Sequence, residues 1–226
     1  MQEIRVELTQ NPTNLPKDES SLGFGKVFSD HMFVMDYDKE RGWHDARIVP
    51  YAPIMLYPST TCLHYAQTTF EGLKAYRSEK DEILLFRPEL NFKRLNMSNE
   101  RLCIPTLDEE FCLHALKKLL EIDEKFVPHK DGSSLYIRPF VIATDPYVGA
   151  SSSSSYKFII ITSPSGAYYS TGINPVKILV EENYVRAVRG GMGMAKTGGN
   201  YAVSLKSQAN AHDIEYSQVL WLDGIE

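Results

Sequence analysis

Apolar and β-branched residues dominate a series of short runs in the first 165 positions, and polar turns separate them. Runs of this length and composition are typical of β-strands. We therefore predict a largely β-structured first unit, with strands at 24–37, 47–57, 73–76, 82–87, 134–144 and 156–163.

Two helices are expected to interrupt these strands. The first covers roughly residues 89–103. In the second, Thr106 is the predicted N-cap because Glu109 follows three positions later, as in a capping box. Pro128 is expected to end this helix, whose apolar face would carry Phe111, Ala115, Leu119, Ile122 and Phe126.

The pattern changes after residue 165. The segment 166–175 is interpreted as a linker, and a strand at 176–180, a glycine-rich loop, a helix near 201–212 and a strand at 217–222 follow it. We expect a first α+β domain at 1–165, a linker at 166–175 and the start of a second α/β domain at 176–226. The serine run 151–155 is expected to be a flexible connection between two strands.

Composition narrows the classes of function. The 226 residues include 43% hydrophobic and 23% charged residues, which indicates a folded, soluble protein. A net charge of -5 without any basic run argues against nucleic acid as the main partner, so small molecules are expected instead.

Targeting and metal signals are absent from the sequence. No window approaches the roughly 18 uninterrupted apolar residues of a membrane helix, and the first 20 residues are polar and acidic. Cys62, Cys103 and Cys112 form no C-x-x-C pair, which suits structural thiols in a reducing compartment. The expected location is the cytoplasm, with no membrane partner, and the scattered histidines predict no metal site.

One lysine stands out among five glycines in the stretch 189–202. Lys196 could hold a phosphate as a cation, or act as a nucleophile that forms a Schiff base. The segment 190–197 fits the nucleotide-binding loop G-x-x-x-x-G-K-[ST] except at Ala195, but a buried strand does not lead directly into it. A solvated lysine on a glycine-rich surface turn is the simplest alternative. Arg186 and Arg189 add positive charge near the lysine, although the sequence assigns neither a role.

The run 195–202, Ala-Lys-Thr-Gly-Gly-Asn-Tyr-Ala, resembles the Schiff-base lysine motif of branched-chain amino acid aminotransferases, which are fold-type IV enzymes that use pyridoxal 5'-phosphate (PLP). The resemblance extends from Phe24 to Leu222 in family order. Its other blocks are 23–25, 29–32, 63–65, 70–76, 86–88, 91–95, 136–139, 166–168 and 218–222.

This resemblance implies a function for the lysine loop. The family transfers the amino group of L-leucine, L-isoleucine or L-valine to 2-oxoglutarate through PLP. Lys196 would be the catalytic residue that binds the cofactor covalently and moves the proton. Arg94, three positions after Asn91, would bind the cofactor phosphate, and Tyr201 would hydrogen-bond the phenolic oxygen of the cofactor.

The resemblance also implies a substrate pocket. A branched aliphatic side chain offers no polar group, so its recognition must come from apolar and aromatic surface. Arg138 would meet the distal carboxylate of 2-oxoglutarate, assisted by the hydroxyl of Tyr65. The loop with Val148 and Ala150 would cross a homodimer interface into the neighbouring site. The aromatic positions of the pocket are Phe24, Tyr65, Phe70, Tyr136 and Tyr168.

The family's second domain continues well past the strand at 217–222, so the resemblance implies a truncated chain that is not fully competent alone. Two other interpretations stay open. One is a D-amino acid aminotransferase or aminodeoxychorismate lyase, and the other is a non-catalytic fragment that serves only as a binding or dimerisation module.

Overall fold

The computed structural model describes residues 2–16, 18–166 and 174–224. Ten strands lie in this part of the chain: β1 Arg5–Val6, β2 His31–Asp38, β3 Gly42–Pro50, β4 Thr68–Phe70, β5 Leu73–Arg77, β6 Ile83–Leu85, β7 Ser134–Ala143, β8 Tyr156–Ser165, β9 Ile178–Glu181 and β10 Gln218–Trp221. The α-helices are α1 Thr61–Tyr65, α2 Pro88–Arg101, α3 Glu109–Ile122, α4 Gly198–Ala202 and α5 Leu205–Asp213, with 3-10 turns at Glu19–Ser21 and Glu124–Phe126.

Eight strands form one sheet in the order β1-β3-β2-β8-β7-β5-β6, with β4 also paired to β7. Every pairing is antiparallel except that of β1 with β3. Strands β4 and β5 share one register along β7, since Phe70 lies opposite Phe140 and Leu73 opposite Ile137. The long strand β7 therefore pairs with β8 along one side and with β4 and β5 along the other.

Helices α2 and α3 cover one face of this sheet. Alternate side chains of β7 point towards them, and Leu135, Ile137 and Val141 are fully buried there with Phe92 and Leu119 of the helices. The intervening positions of β7 point to the opposite face, because successive side chains in a strand alternate. Tyr136 and Arg138 are therefore on the face away from the helices.

The predicted mixture of helices and strands is confirmed, but several element boundaries were wrong. Residues 24–30 and 51–57 are outside the strands, and β4 and α1 were not predicted. The N-cap of α3 is Asp108, whose side chain accepts a hydrogen bond from the Phe111 amide, and not Thr106. Thr106 lies before the helix, and its carbonyl accepts a hydrogen bond from Trp43 Nε1 at 2.9 Å. The helix ends at Ile122, well before Pro128.

The last two serines of the run 151–155 are hydrogen-bonded to Asp145. The Asp145 carboxylate accepts hydrogen bonds from the Ser154 amide at 2.6 Å and hydroxyl at 2.8 Å, and from the Ser155 hydroxyl at 2.5 Å. Burial alone would raise the pKa of Asp145, but these hydrogen bonds outweigh burial and hold the pKa below its ordinary value. The flexibility of the run as a whole stays a prediction.

The predicted second unit contains a parallel pair, β9 and β10, and the helices α4 and α5. In place of the single helix expected near 201–212, the structure has two helices, α4 and α5, which are separated by Val203 and Ser204. Most of the expected linker, residues 167–173, lies outside the described residues, so the domain division stays a prediction. In the described part of the chain, no helix has both the length and the apolar character needed to cross a bilayer.

Candidate active site around Lys196

The segment that carries Lys196 is joined to the edge of β4 by hydrogen bonds to the backbone. The Phe70 amide donates to the Lys196 carbonyl at 3.0 Å, and the Thr197 hydroxyl donates to the Thr68 carbonyl at 2.7 Å. The Lys196 amide in turn donates to the hydroxyl of Ser98, on α2, at 2.9 Å. The lysine is thus held between the sheet and the first helix of the pair that covers it.

The amine of Lys196 lies against two aromatic residues. Its Nζ donates a hydrogen bond to the Tyr201 hydroxyl at 2.6 Å, and it is 4.7 Å from the centre of the Phe70 ring. The rings of Phe70 and Tyr201 pack 4.8 Å apart, centre to centre. Lys196 is partly buried, in contrast to the solvated surface lysine of the simplest alternative.

Arg94 lies near the lysine and is paired with a buried acid that the sequence reasoning missed. Arg94 Nε and Nη2 donate to the two carboxylate oxygens of Glu71 at 2.6 and 2.8 Å. Glu71 is fully buried and also accepts hydrogen bonds from Asn91 Nδ2 and the Gly72 amide. The Glu71 carboxylate raises the pKa of the Arg94 guanidinium through this hydrogen bonding.

Strand alternation explains this pair. Phe70 points away from the helices, so the next residue, Glu71, points towards α2, where Asn91, Arg94 and Ser98 share one face at helical spacing. A lone acid between Phe70 and Leu73, in the short link between β4 and β5, was the available signal, because a buried carboxylate requires a partner.

On the other face of the sheet, Arg138 is surrounded by aromatic rings. Its Nη2 donates to the Tyr136 hydroxyl at 2.6 Å, and its guanidinium carbon is 4.6 Å from the centre of the Phe70 ring. Phe24 packs edge-on against Tyr136 at 4.8 Å. Arg138 Nε is buried without a hydrogen-bond partner among the described residues. This is unusual, because nearly all buried polar groups in proteins are hydrogen-bonded. Phe70 thus contacts both Lys196 and Arg138.

A cavity of about 160 Å³ lies beside the lysine. Its lining includes the cationic residues Arg94, Arg186 and Lys196 together with Tyr201, and no acidic residue. The cavity therefore offers a phenolic hydroxyl, an amine and two guanidinium groups. These hydrogen-bond donors suit a ligand whose ring carries a phosphate group and a phenolic oxygen. The volume is below the roughly 300–1,000 Å³ of typical small-molecule sites, so these residues supply only part of such a site.

The remaining predicted residues lie elsewhere. Tyr65 is at the end of α1, where its hydroxyl donates to the Val148 carbonyl, and Val148 and Ala150 are exposed. None of these three contacts the group around Phe70, and the hydroxyl that reaches Arg138 belongs to Tyr136. Tyr168 lies outside the described residues.

Comparison with known proteins gives a consistent set of relatives. The chain is 59% identical to branched-chain-amino-acid aminotransferase 2 of Bacillus subtilis (strain 168) over 226 residues, which is 100% of this chain and 62% of that protein. It therefore spans about three fifths of that relative's length. No protein-family profile matches the chain.

Solved structures support the same fold. A branched-chain amino acid aminotransferase from Escherichia coli superposes with a TM-score of 0.69 at 23% identity, over 86% of this chain and 60% of that one. Another branched-chain amino acid aminotransferase, the T.th. enzyme with pyridoxamine 5'-phosphate, gives a TM-score of 0.68 at 23% identity, over 88% and 61% of the two chains. The expectation of a fold-type IV architecture is confirmed.

Proposed function

We propose that the chain belongs to the branched-chain-amino-acid aminotransferases and carries the lysine-bearing part of a PLP-dependent transaminase. The whole protein would transfer the amino group of L-leucine, L-isoleucine or L-valine to 2-oxoglutarate. The observation that carries this proposal is the partly buried Lys196 amine, which is hydrogen-bonded to Tyr201 beside a cavity lined by guanidinium groups.

PLP is the cofactor that these residues fit. The T.th. relative is described with pyridoxamine 5'-phosphate, and the donors around the cavity suit the same class of molecule. When bound, the cofactor supplies the electron sink that amino-group transfer requires. The residues of this chain would hold and orient it and would move the proton.

Each residue around the cavity has a distinct proposed task. Lys196 would bind the cofactor aldehyde and later act as the general base, with its Nζ positioned by the Tyr201 hydroxyl. Tyr201 would donate to the phenolic oxygen of the cofactor. Arg94 uses Nε and Nη2 on Glu71, which leaves Nη1 for the phosphate.

The substrate side would be formed by the aromatic group that lies beside Lys196, on the face of the sheet away from the helices. Phe24, Phe70 and Tyr136 would provide apolar surface for the branched side chain. Arg138 would pair with the distal carboxylate of 2-oxoglutarate, and its unpartnered Nε supports this assignment because a bound acid would satisfy it.

The partner would be a second copy of the chain. Val148 is 58% exposed and Tyr147 is also 58% exposed, and the loop that carries them is held to α1 by Tyr65. We propose that this loop reaches the site of the second copy, as the family resemblance implies. The cytoplasm is the proposed location.

Covalent trapping tests the function directly. The 226-residue protein is incubated with PLP, scanned for a near-ultraviolet to visible absorbance band, reduced with borohydride and digested. We expect a phosphopyridoxyl mass on the peptide with Lys196, at a higher level than on peptides with Lys177 or Lys206.

The competing interpretations predict other outcomes. An inert binding or dimerisation module would give no adduct at Lys196. A nucleotide-binding loop would give a thermal shift with Mg-ATP and none with PLP.

A further inference from the structure

The buried face of α2 changes from apolar to polar in the last turn of the helix. Phe92 and Leu95 pack in the core, but the next buried positions are Ser98 and Asn99, which are 1% and 0% exposed. Polar side chains that are buried this completely need hydrogen-bond partners, and serine and asparagine are not residues that a helix interior favours. The two residues therefore indicate contacts outside the helix.

Both residues make such contacts, and both contacts lead to the lysine segment. Ser98 Oγ accepts a hydrogen bond from the Lys196 amide at 2.9 Å. Asn99 Oδ1 accepts one from the Thr69 hydroxyl at 2.5 Å, and Thr69 lies opposite Thr197 in an isolated antiparallel bridge. The end of α2 thus holds the lysine backbone directly through Ser98, and Asn99 holds the part of β4 that lies beside it.

Water has little access to the Lys196 amide. The residues on either side of the lysine, Ala195 and Thr197, are 5% and 1% exposed, and Ser98 is 1% exposed. Removal of Ser98 Oγ would therefore leave a buried backbone donor without an acceptor, and the lysine segment could regain one only by moving. A shift of this backbone would carry the lysine side chain with it.

We propose that Ser98 is a positioning residue for the reaction at Lys196. Its hydroxyl fixes the backbone from which the lysine side chain starts, and this keeps the amine at the Tyr201 hydroxyl, 2.6 Å away. Ser98 does not line the described cavity beside the lysine, so it acts through Lys196. The inference rests on the proposed function, since it concerns the amine that would bind the cofactor aldehyde.

Labelling with two aldehydes tests this role. PLP and pyridoxal are titrated into the 226-residue protein, trapped with borohydride and quantified on the Lys196 peptide relative to the peptides with Lys177 and Lys206. Ser98→Ala is expected to weaken labelling of Lys196 about tenfold, as the loss of one hydrogen bond to a buried amide implies. The loss should be similar for both aldehydes, because Ser98 acts on the amine that both of them require, and the other two lysines should be labelled as before.

Two further variants separate positioning from the general cost of changing a buried serine. Ser134, in β7, is 1% exposed, and its hydroxyl has no partner among the described residues. Ser134→Ala is therefore the matched control and is expected to leave the labelling of Lys196 unchanged. Ser98→Thr retains the hydroxyl and is expected to recover part of the labelling.

Amide hydrogen exchange measured by NMR detects the contact without any aldehyde. In Ser98→Ala the Lys196 amide is expected to exchange about tenfold faster than in the wild type, because it has lost its acceptor. The amides of Ile137 and Val141, in the middle of β7, should keep their wild-type rates. An equal acceleration at Lys196 and in β7 would mean that the whole sheet is destabilised, and this would contradict a positioning role.

The outcomes distinguish the two proposals. If the wild-type protein takes no label at Lys196 from either aldehyde, the proposed function fails and this inference fails with it. If the wild type is labelled and Ser98→Ala is labelled equally well, only the role of Ser98 is overturned. The same conclusion follows if a Ser98→Thr protein with wild-type exchange rates in β7 recovers none of the labelling.

Discussion

An ideal Cβ on Gly72 would lie 2.3 Å from the hydroxyl oxygen of Tyr136. That hydroxyl accepts the hydrogen bond from Arg138 Nη2 at 2.6 Å. Gly72 is therefore the position at which a missing side chain allows the tyrosine and the arginine to meet on the face of the sheet away from the helices.

Gly72→Ala is expected to destabilise the protein by about 1–3 kcal/mol, because the added methyl group must displace the Tyr136 ring. Urea unfolding measures this change. Gly166→Ala serves as the control, since a Cβ there meets none of the described residues within 4 Å, and it should alter stability by less than about 0.5 kcal/mol. Equal effects of the two substitutions would argue against tight packing at Gly72.

Arg138→Met is expected to change the free energy of unfolding by less than about 1 kcal/mol, because the lost hydrogen bond to Tyr136 is offset by removal of the unpartnered Nε. The same variant should lose about tenfold or more in affinity for N-(5'-phosphopyridoxyl)-L-glutamate and much less for the L-leucine analogue. Fluorescence titration measures both affinities. A similar loss for the two compounds would contradict the proposed role.

The two members of the Glu71–Arg94 pair should respond unequally to removal. Arg94→Met leaves a fully buried carboxylate without its cation and should cost about 3 kcal/mol or more. Glu71→Gln leaves a half-exposed guanidinium that water can reach, so about 1 kcal/mol is expected. Urea unfolding of both single variants and the double variant gives the coupling energy. The reverse order would mean that Glu71 is stabilised by its other partners.

Acid stability should depend on Asp36. Burial alone would raise its pKa, but hydrogen bonds and charges of Lys157 and Arg47 outweigh this and lower the pKa below the ordinary value of 3.8. A carboxyl with a lowered folded-state pKa contributes stability above its unfolded pKa, and the contribution is lost as pH falls through the folded pKa. Asp36→Asn should therefore be less stable at pH 7 and lose less stability below about pH 4. Unfolding curves from pH 7 to 2 test this, with Asp131→Asn at an exposed position as a control that should change the stability at pH 7 by less than about 0.5 kcal/mol.

Val148→Asp should weaken self-association at least tenfold if the loop lies between two copies, because a buried unpaired charge is costly there. Analytical ultracentrifugation over a range of concentrations measures the effect. Phe86→Asp replaces another exposed apolar residue, 79% exposed after the edge strand β6, and should leave association unchanged. A protein that is monomeric throughout would contradict the proposed dimer.

Local patterns predicted the central strand well. The expected strand at 134–144 is observed as Ser134–Ala143. A long strand between two neighbours needs apolar residues on the face that the helices cover, and this pattern is visible in the sequence. The N-cap of α3 was missed because Thr106 and Glu109 form a capping-box pattern, whereas the observed cap is the side chain of Asp108, which accepts a hydrogen bond from the Phe111 amide.

The candidate site was partly visible in the sequence. The resemblance identified Lys196, Tyr201, Phe70 and Arg138, and the structure brings these four together. The sequence signalled that Glu71 needs a partner but did not identify it, because Arg94 lies 23 residues away on a different element. The position of Arg186 depends on how the glycine-rich loop folds back, which spacing does not encode.

Strand β4 has only three residues, but its hydrogen bonds hold the segment that carries Lys196. The position of the Lys196 amine therefore depends on a short strand that lies more than 120 residues earlier in the chain. A substitution that disrupts this strand would therefore lower activity as a change at the catalytic lysine does, although Lys196 itself is unchanged. Loss-of-function variants at Thr68 would be misread if only the residues nearest the reacting atoms were considered.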